Sequence, residues 1–311
     1  MLAIVSITAP IFLLIAIGYA AVRSRLLPYE AIPGLGRFVL YFALPSLIVN
    51  TLSSMDIEEV IEPGFILAYA LGSLLMIGLG LLLTLKILKN EPVLASLKAM
   101  GMTVSNTPYF GFAVLLQVLD NVAGQALAMA MLVETLLIIP LSMTLLEFHA
   151  SRSIGMSLGR VLIKLPQRIL RNPLVISITS GIVISSLDIS LPQAVSTTLE
   201  MLGRSSAAIA LFVIGASLVG SPLKGTLSGI TPVLIGKLLI HPLLVGLIIW
   251  LLPPFNPELQ LAAVLLAAMP MMSIYPIFGT QYGYRNFTAS TLMLTTITAF
   301  ITISLILLFI Q

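Results

Sequence analysis

Cysteine is absent from all 311 residues. That excludes disulfides, thiolate metal sites and a cysteine nucleophile. Histidine is almost as scarce. His149 and His241 are the only two, far apart, which argues against a histidine-built metal site. Charge is the third shortage. Only 9% of the residues are charged, where a soluble domain carries roughly a quarter. So few charges cannot cover a water-facing surface, so much of the chain must face lipid. A Walker-type phosphate loop is also missing, which argues against ATP-driven work by this chain alone.

Apolar residues make up 59% of the chain. A spanning helix needs roughly 20 of them in succession. Runs that meet or approach this fall at about 2–22, 38–54, 65–87, 94–119, 124–147, 173–190, 205–221, 229–252, 258–282 and 287–310. Ten membrane segments are therefore predicted. The first is followed, not preceded, by positive charge (Arg23 and Arg25), so it reads as a membrane helix and not a cleavable signal. The longest connection, residues 149–172, holds Arg152, Arg160, Lys164, Arg168 and Arg171 among apolar residues. An amphipathic helix on the membrane surface and a solvated basic loop both fit it.

Lysine and arginine set the topology, because positive loops stay cytoplasmic. With the N-terminus outside, the cytoplasmic side collects Arg23, Arg25, Arg37, Lys86, Lys89, Lys98, the five linker charges, Lys224 and Arg285. Only Arg204 falls outside, Lys237 lies within a helix, and Asp56, Glu58, Glu59 and Glu62 gather on the external side. This asymmetry predicts both termini outside the cytoplasm.

The two halves echo each other. Ser105-Asn106-Thr107-Pro108-Tyr109-Phe110-Gly111 in the fourth segment and Ser273-Ile274-Tyr275-Pro276-Ile277-Phe278-Gly279 in the ninth share the pattern S-x-x-P-x-F-G. Pro10 and Gly18 are spaced like Pro173 and Gly181, and Leu27-Pro28 resembles Leu191-Pro192. An internal duplication follows, with residues 1–148 and 173–311 as five-helix units around the linker. An odd helix number inverts the second unit, an arrangement found in several transporter folds. Proline removes a backbone donor and disfavours helix at the residue before it. Breaks are thus predicted near mid-membrane, with Thr107 and Tyr275 extended or irregular and Pro270 adding to the second. Broken backbone at that depth belongs inside protein or beside a water-filled cavity. The helix N-termini at such breaks carry positive partial charge that suits an anion.

Pro10, Leu44-Pro45-Ser46-Leu47, Asn106-Thr107-Pro108 and the stretch from Pro270 to Gly279 make the whole chain resemble the auxin efflux carrier family in its short prokaryotic form. The resemblance implies a scaffold of segments 1, 2, 6 and 7, and a mobile transport domain of segments 3–5 and 8–10. It also implies a crossover of segments 4 and 9, a substrate held between the domains, and a homodimer through segments 2 and 7. Bile-acid and sodium symporters share that architecture, so the motifs leave the substrate and the driving ion open. Plant members carry long hydrophilic central loops; here only the short basic linker stands in that place.

Ionisable residues inside membrane helices are functional candidates by default. Glu134 lies near the middle of segment 5 and is a candidate carrier of a proton or sodium ion, against a purely structural carboxyl. Lys237 and His241, four residues apart, share a face of segment 8. They read as a relay or counter-charge. Against this, Lys237 lies about two turns inside the cytoplasmic end, and a snorkelling side chain is the preferred reading. His241 before Pro242 also suits a freed carbonyl. Substrate-binding candidates are Ser105, Asn106, Thr107, Pro108, Ser273, Tyr275 and Pro276 at the crossover, with Ser46 and Asn50 from the scaffold. Gln281 and Tyr282 are placed to gate the cytoplasmic end. Small residues of segment 7 (Gly203, Ala207, Ala208, Ala210, Gly215 and Ala216) offer a close-packing face for a dimer.

The expected function is secondary transport of a small organic anion, a carboxylate such as malate or malonate or an auxin-like acid, by elevator-like alternating access. The expected location is the cell membrane. A sodium-coupled symporter of bile-acid-like or other organic anions is the alternative. An intramembrane enzyme built on Gly215-Ala216-Ser217 lacks a nearby base, and a channel or sensor fits the inverted repeat less well. The expected partners are the anion, a proton or sodium ion, the lipid bilayer and a second copy. No cofactor, catalytic residue, metal or nucleic acid is implied.

Overall fold

The computed structural model describes residues 2–55, 60–154, 170–220 and 227–310. Most of the basic linker, Lys224, Asp56, Glu58 and Glu59 lie outside them. In chain order the helical stretches are Leu2–Arg23 (α1), Tyr29–Ser53 (α2), Pro63–Ile87 (α3), Pro92–Thr103 (α4), Thr107–Val118 (α5) and Asp120–Ala150 (α6). Pro173–Ser186 (α7), Gln193–Ser217 (α8), Gly229–Leu251 (α9), Pro257–Ala267 (α10), Tyr275–Gln281 (α11) and Arg285–Ile310 (α12) follow. Among the described residues the fold is all-helical. Among the described residues six helices are long and apolar enough to cross a membrane: α2, α3, α6, α8, α9 and α12. Ala9–Arg23 within α1, and α5, α7 and α10, are shorter apolar stretches among the described residues.

Two helices begin earlier than hydropathy alone places them. The second apolar run starts near residue 38 but its helix starts at Tyr29, and the seventh starts near 205 but its helix starts at Gln193. Apolar content limits the part of a helix that faces lipid and not the helix itself. The extra turns of α8 are polar and carry an exposed Glu200–Arg204 pair four residues apart, at 2.5 Å.

Prolines shape the interior of these helices. A proline cannot donate to the residue one turn back and its ring crowds that carbonyl. The chain relieves the conflict with a widened π turn. Val39–Ala43, Glu134–Ile138 and Gly236–Ile240 each end two residues before a proline, namely Pro45, Pro140 and Pro242. Such turns often mark functional positions. Here two of them carry Glu134 and Lys237.

α1 packs along α8, α7 along α2, and α3 along α9. The first contact is a backbone crossing made possible by glycine. A Cβ on Gly215 would fall on the carbonyl of Ile15, and one on Gly18 on the carbonyl of Phe212. Gly203 likewise abuts Leu47 of α2. With Ala210 and Ala216 buried as well, the small residues of the seventh segment mostly mediate packing within the chain. Ala208, by contrast, is exposed on the outer face of α8. Gly215→Ala is expected to destabilise by at least about 1–3 kcal/mol, because a backbone contact cannot yield as a side chain can. Gly34→Ala, with open space around it, is the control whose Tm in detergent should not fall.

Candidate functional site

α4 stops at Thr103, and Val104 is extended (φ −69°, ψ 120°). α10 stops at Ala267. Between the stops and the next helices the two stretches meet as a short antiparallel bridge, Ser105 opposite Met271. Asn106 N donates to Pro270 O (2.8 Å) and Met272 N donates to Val104 O (3.3 Å). Backbone groups freed by the two breaks thus satisfy each other, as buried peptide groups must. Val104 and Met272 are themselves 168 positions apart, the same spacing that separates the two S-x-x-P-x-F-G motifs.

The residues expected to be irregular are shifted. Thr107 opens the π turn that starts α5, and Tyr275 opens α11. The non-helical residues lie just before them, at 104–106 and 270–272. The reason is positional: Pro108 and Pro276 fill the second place of a new helix, where the missing N–H has no partner to lose. Each proline therefore starts a helix as much as it ends one.

Two ionisable side chains converge on the bridge. Glu134 of α6 is almost wholly buried. Its Oε1 accepts from Tyr69 OH (2.8 Å), Thr107 Oγ1 (2.8 Å) and Ser105 N (3.4 Å). Lys237 of α9 is fully buried. Its ammonium donates to Ser105 Oγ (2.6 Å), Ala267 O (2.8 Å) and Thr103 O (3.2 Å), and lies 2.9 Å from His241 Nδ1. Snorkelling is thus corrected. Two turns from a helix end is within reach of the surface, but the carbonyl ends of α4 and α10 hold the ammonium inside. His241 Nε2 meets Ser73 Oγ of α3 at 3.0 Å, so His241 joins the network and does not cap a carbonyl freed by Pro242. Ser105 links the two charges, because it touches both.

Asn106 is buried beside this cluster and its Nδ2 donates to Ser273 Oγ (2.9 Å). Pro108, Ser273 and Pro276 are half-buried around it. Tyr275 is set apart: its hydroxyl donates to Leu97 O (2.9 Å) and it packs on Gly101, so it fastens α11 to α4. Ser46 and Asn50 lie on α2, and neither joins the hydrogen-bonded cluster; Asn50 O accepts from Ser53 and Ser54 within its own helix. A link from that side comes instead from Tyr109 OH, which donates to Gly36 O of α2 at 3.1 Å. Gln281 is exposed. Tyr282 OH donates to Glu147 (2.7 Å), and Tyr284 OH donates to Glu91 (2.6 Å). Partial burial and the Glu91 carboxylate raise the Tyr284 hydroxyl to about 12, so this clasp persists at physiological pH.

Tyr69, Ser73 and Tyr109 were not among the sequence candidates. Tyr69 and Ser73 lie one turn apart in a long apolar run, and that interruption of the run by two polar groups on one helix face was the available signal. Among the described residues no cluster of histidine, aspartate and glutamate could hold a metal ion.

A family model described as "Membrane transport protein" matches residues 3–308. The chain is 26% identical over 305 residues to a Rhizobium meliloti (strain 1021) protein named "Putative malonate transporter", covering 97% of this chain and 94% of that one. It is also 25% identical over 289 residues to the mouse (Mus musculus) "Lysosomal cholesterol signaling protein". That match covers 88% of this chain but only 33% of the longer mouse protein. The chain is therefore a membrane transporter and not an enzyme, and it belongs to the Membrane transport protein family, the auxin efflux carrier family its motifs resemble.

Proposed function

We propose that this transporter carries a small dicarboxylate of the malonate class, held at the crossing of the fourth and ninth segments and moved by alternating access. The observation that carries the reading is the paired break at Val104–Asn106 and Pro270–Met272, with Asn106, Lys237 and Glu134 buried around it. Helix α5 opens at this break, and its N-terminal end supplies about half a positive charge. Asn106 offers an amide donor, and the Lys237 ammonium bonds the hydroxyl of Ser105, the residue before it. With the ammonium's charge met by the carbonyl ends of α4 and α10, the helix end and the Asn106 amide supply the positive field that an anion needs there. Similarity to the Rhizobium protein supports the substrate class.

The ten-helix inverted repeat belongs to the same proposal. The first and seventh segments pack together, as do the sixth and second, which are the pairs an inverted repeat interchanges. Contact of Val104 with its counterpart Met272 supports it further. In this reading segments 3–5 and 8–10 move as one body against segments 1, 2, 6 and 7, with Tyr109–Gly36 among the contacts that remake. Glu134 carries the coupling ion.

Counterflow in proteoliposomes tests the function. Vesicles loaded with unlabelled malonate should accumulate labelled malonate transiently, and vesicles loaded with a neutral amide of the same size should not. Absence of exchange with malonate, malate and auxin-like acids alike contradicts the reading. The topology has its own test. Single cysteines at positions 1, 60 and 311 of this cysteine-free chain should all react with an impermeant maleimide from outside the cell. A cytoplasmic terminus breaks the ten-helix count.

A further inference from the structure

The four groups around the Lys237 ammonium resemble the surroundings of a bound cation more than those of a structural lysine. Thr103 O and Ala267 O are the last carbonyls of two helices that stop at the same place from opposite halves of the chain. Carbonyls at a helix C-terminus lack an intrahelical donor, and each end carries about half a negative charge. Two ends together call for roughly one positive charge. Ser105 Oγ and His241 Nδ1 complete the shell at 2.6 and 2.9 Å. Glu134 stands just beyond, on the other side of Ser105, where the start of α5 and the Tyr69 and Thr107 hydroxyls hold its carboxylate. Oxygen ligands from main chain and hydroxyl, with a carboxylate nearby, are the donor set that hard cations take.

We propose that the broken ends of α4 and α10 form a monovalent-cation site and that Lys237 fills it with a tethered ammonium. The wild-type chain then binds no sodium there. With the side chain cut back, the same oxygens accept a free monovalent metal ion. Lys237 is in this sense a resident counter-ion that holds the crossover closed on itself. The relevance to coupling rests on the transport reading; the site itself does not, because its occupancy is measurable without substrate.

The test uses the purified full chain in detergent, with sodium, potassium and lithium chloride titrated against choline chloride at constant ionic strength. Wild type should show the same Tm in every salt. Lys237→Ala should show a low Tm in choline and a saturable rise of several degrees in one of the metal salts. Lys237→Met, whose side chain refills the space without a charge, should show no such rise. A saturable sodium response in wild type overturns the proposal, as does an alanine variant indifferent to all three metals. Where Lys237→Ala is not recovered, Lys237→Ser is read the same way after extraction in each salt. Failure to recover either variant in any metal salt also contradicts it. Malonate counterflow of the wild type, equal in sodium and choline, separates the two readings. If counterflow is absent in both salts the transport proposal fails, while the Tm arms still decide the cation site.

Discussion

Lys237→Met in sodium-free buffer is expected to lose about 3–5 kcal/mol of stability, the range found when a buried charge is left uncompensated. Three acceptors lose their common donor, namely two helix-terminal carbonyls and the Ser105 hydroxyl, and the His241 ring loses its neighbour at 2.9 Å. Glu134 also loses the lysine that reaches Ser105, its own bonding partner. Removing both charges together should cost less than the single change implies, because no uncompensated charge then remains buried. Lys237→Met/Glu134→Gln should therefore unfold at a higher temperature than Lys237→Met. A double-mutant cycle on Tm in detergent reads the coupling. Additive losses would show that the two residues act independently, contrary to the shared Ser105.

Asn106→Ala is expected to weaken malonate binding about 10- to 100-fold. A hydrogen bond to a charged group contributes about 1.5–3 kcal/mol, and each 1.4 kcal/mol is a factor of ten. The fold should survive. The backbone of residue 106 still donates to Pro270 O, and the Ser273 hydroxyl left behind is only half-buried, within reach of water. Isothermal titration of both proteins checks the affinity, and equal Tm values without ligand check the fold. Unchanged affinity would remove Asn106 from the site. Glu134→Gln differs in kind: exchange of malonate should persist while its dependence on the coupling ion disappears. A variant whose ion dependence is unchanged excludes Glu134 from coupling.

Much of this site was legible in the sequence because proline and charge are rare and loud inside a membrane helix. Pro108 and Pro276 in matched motifs placed the two interruptions, and Glu134, Lys237 and His241 stood out against an apolar background. What could not be read was partnership. The fate of Lys237 depends on where α4 and α10 stop, at Thr103 and Ala267, and neither stop is near it in sequence. From its own neighbours Lys237 looked able to reach the surface. Tyr275 failed in the opposite way: it sits inside the motif, yet its hydroxyl serves Leu97 on the adjoining half-helix. Gly203 and Gly215 show the same limit for packing. Small residues mark close approach, but whether the approaching helix belongs to the same chain is a property of the fold.

The central claim is that the anion sits at the crossing of the broken segments, and an experimental structure of the transporter in lipid nanodiscs with malonate tests it most directly. Ligand density is expected within hydrogen-bond reach of Asn106 and the start of α5, beside Pro108 and Pro276, with the backbone still broken at 104–106 and 270–272. Density elsewhere in the molecule, or fourth and ninth segments running as continuous helices through Pro108 and Pro276, would contradict it.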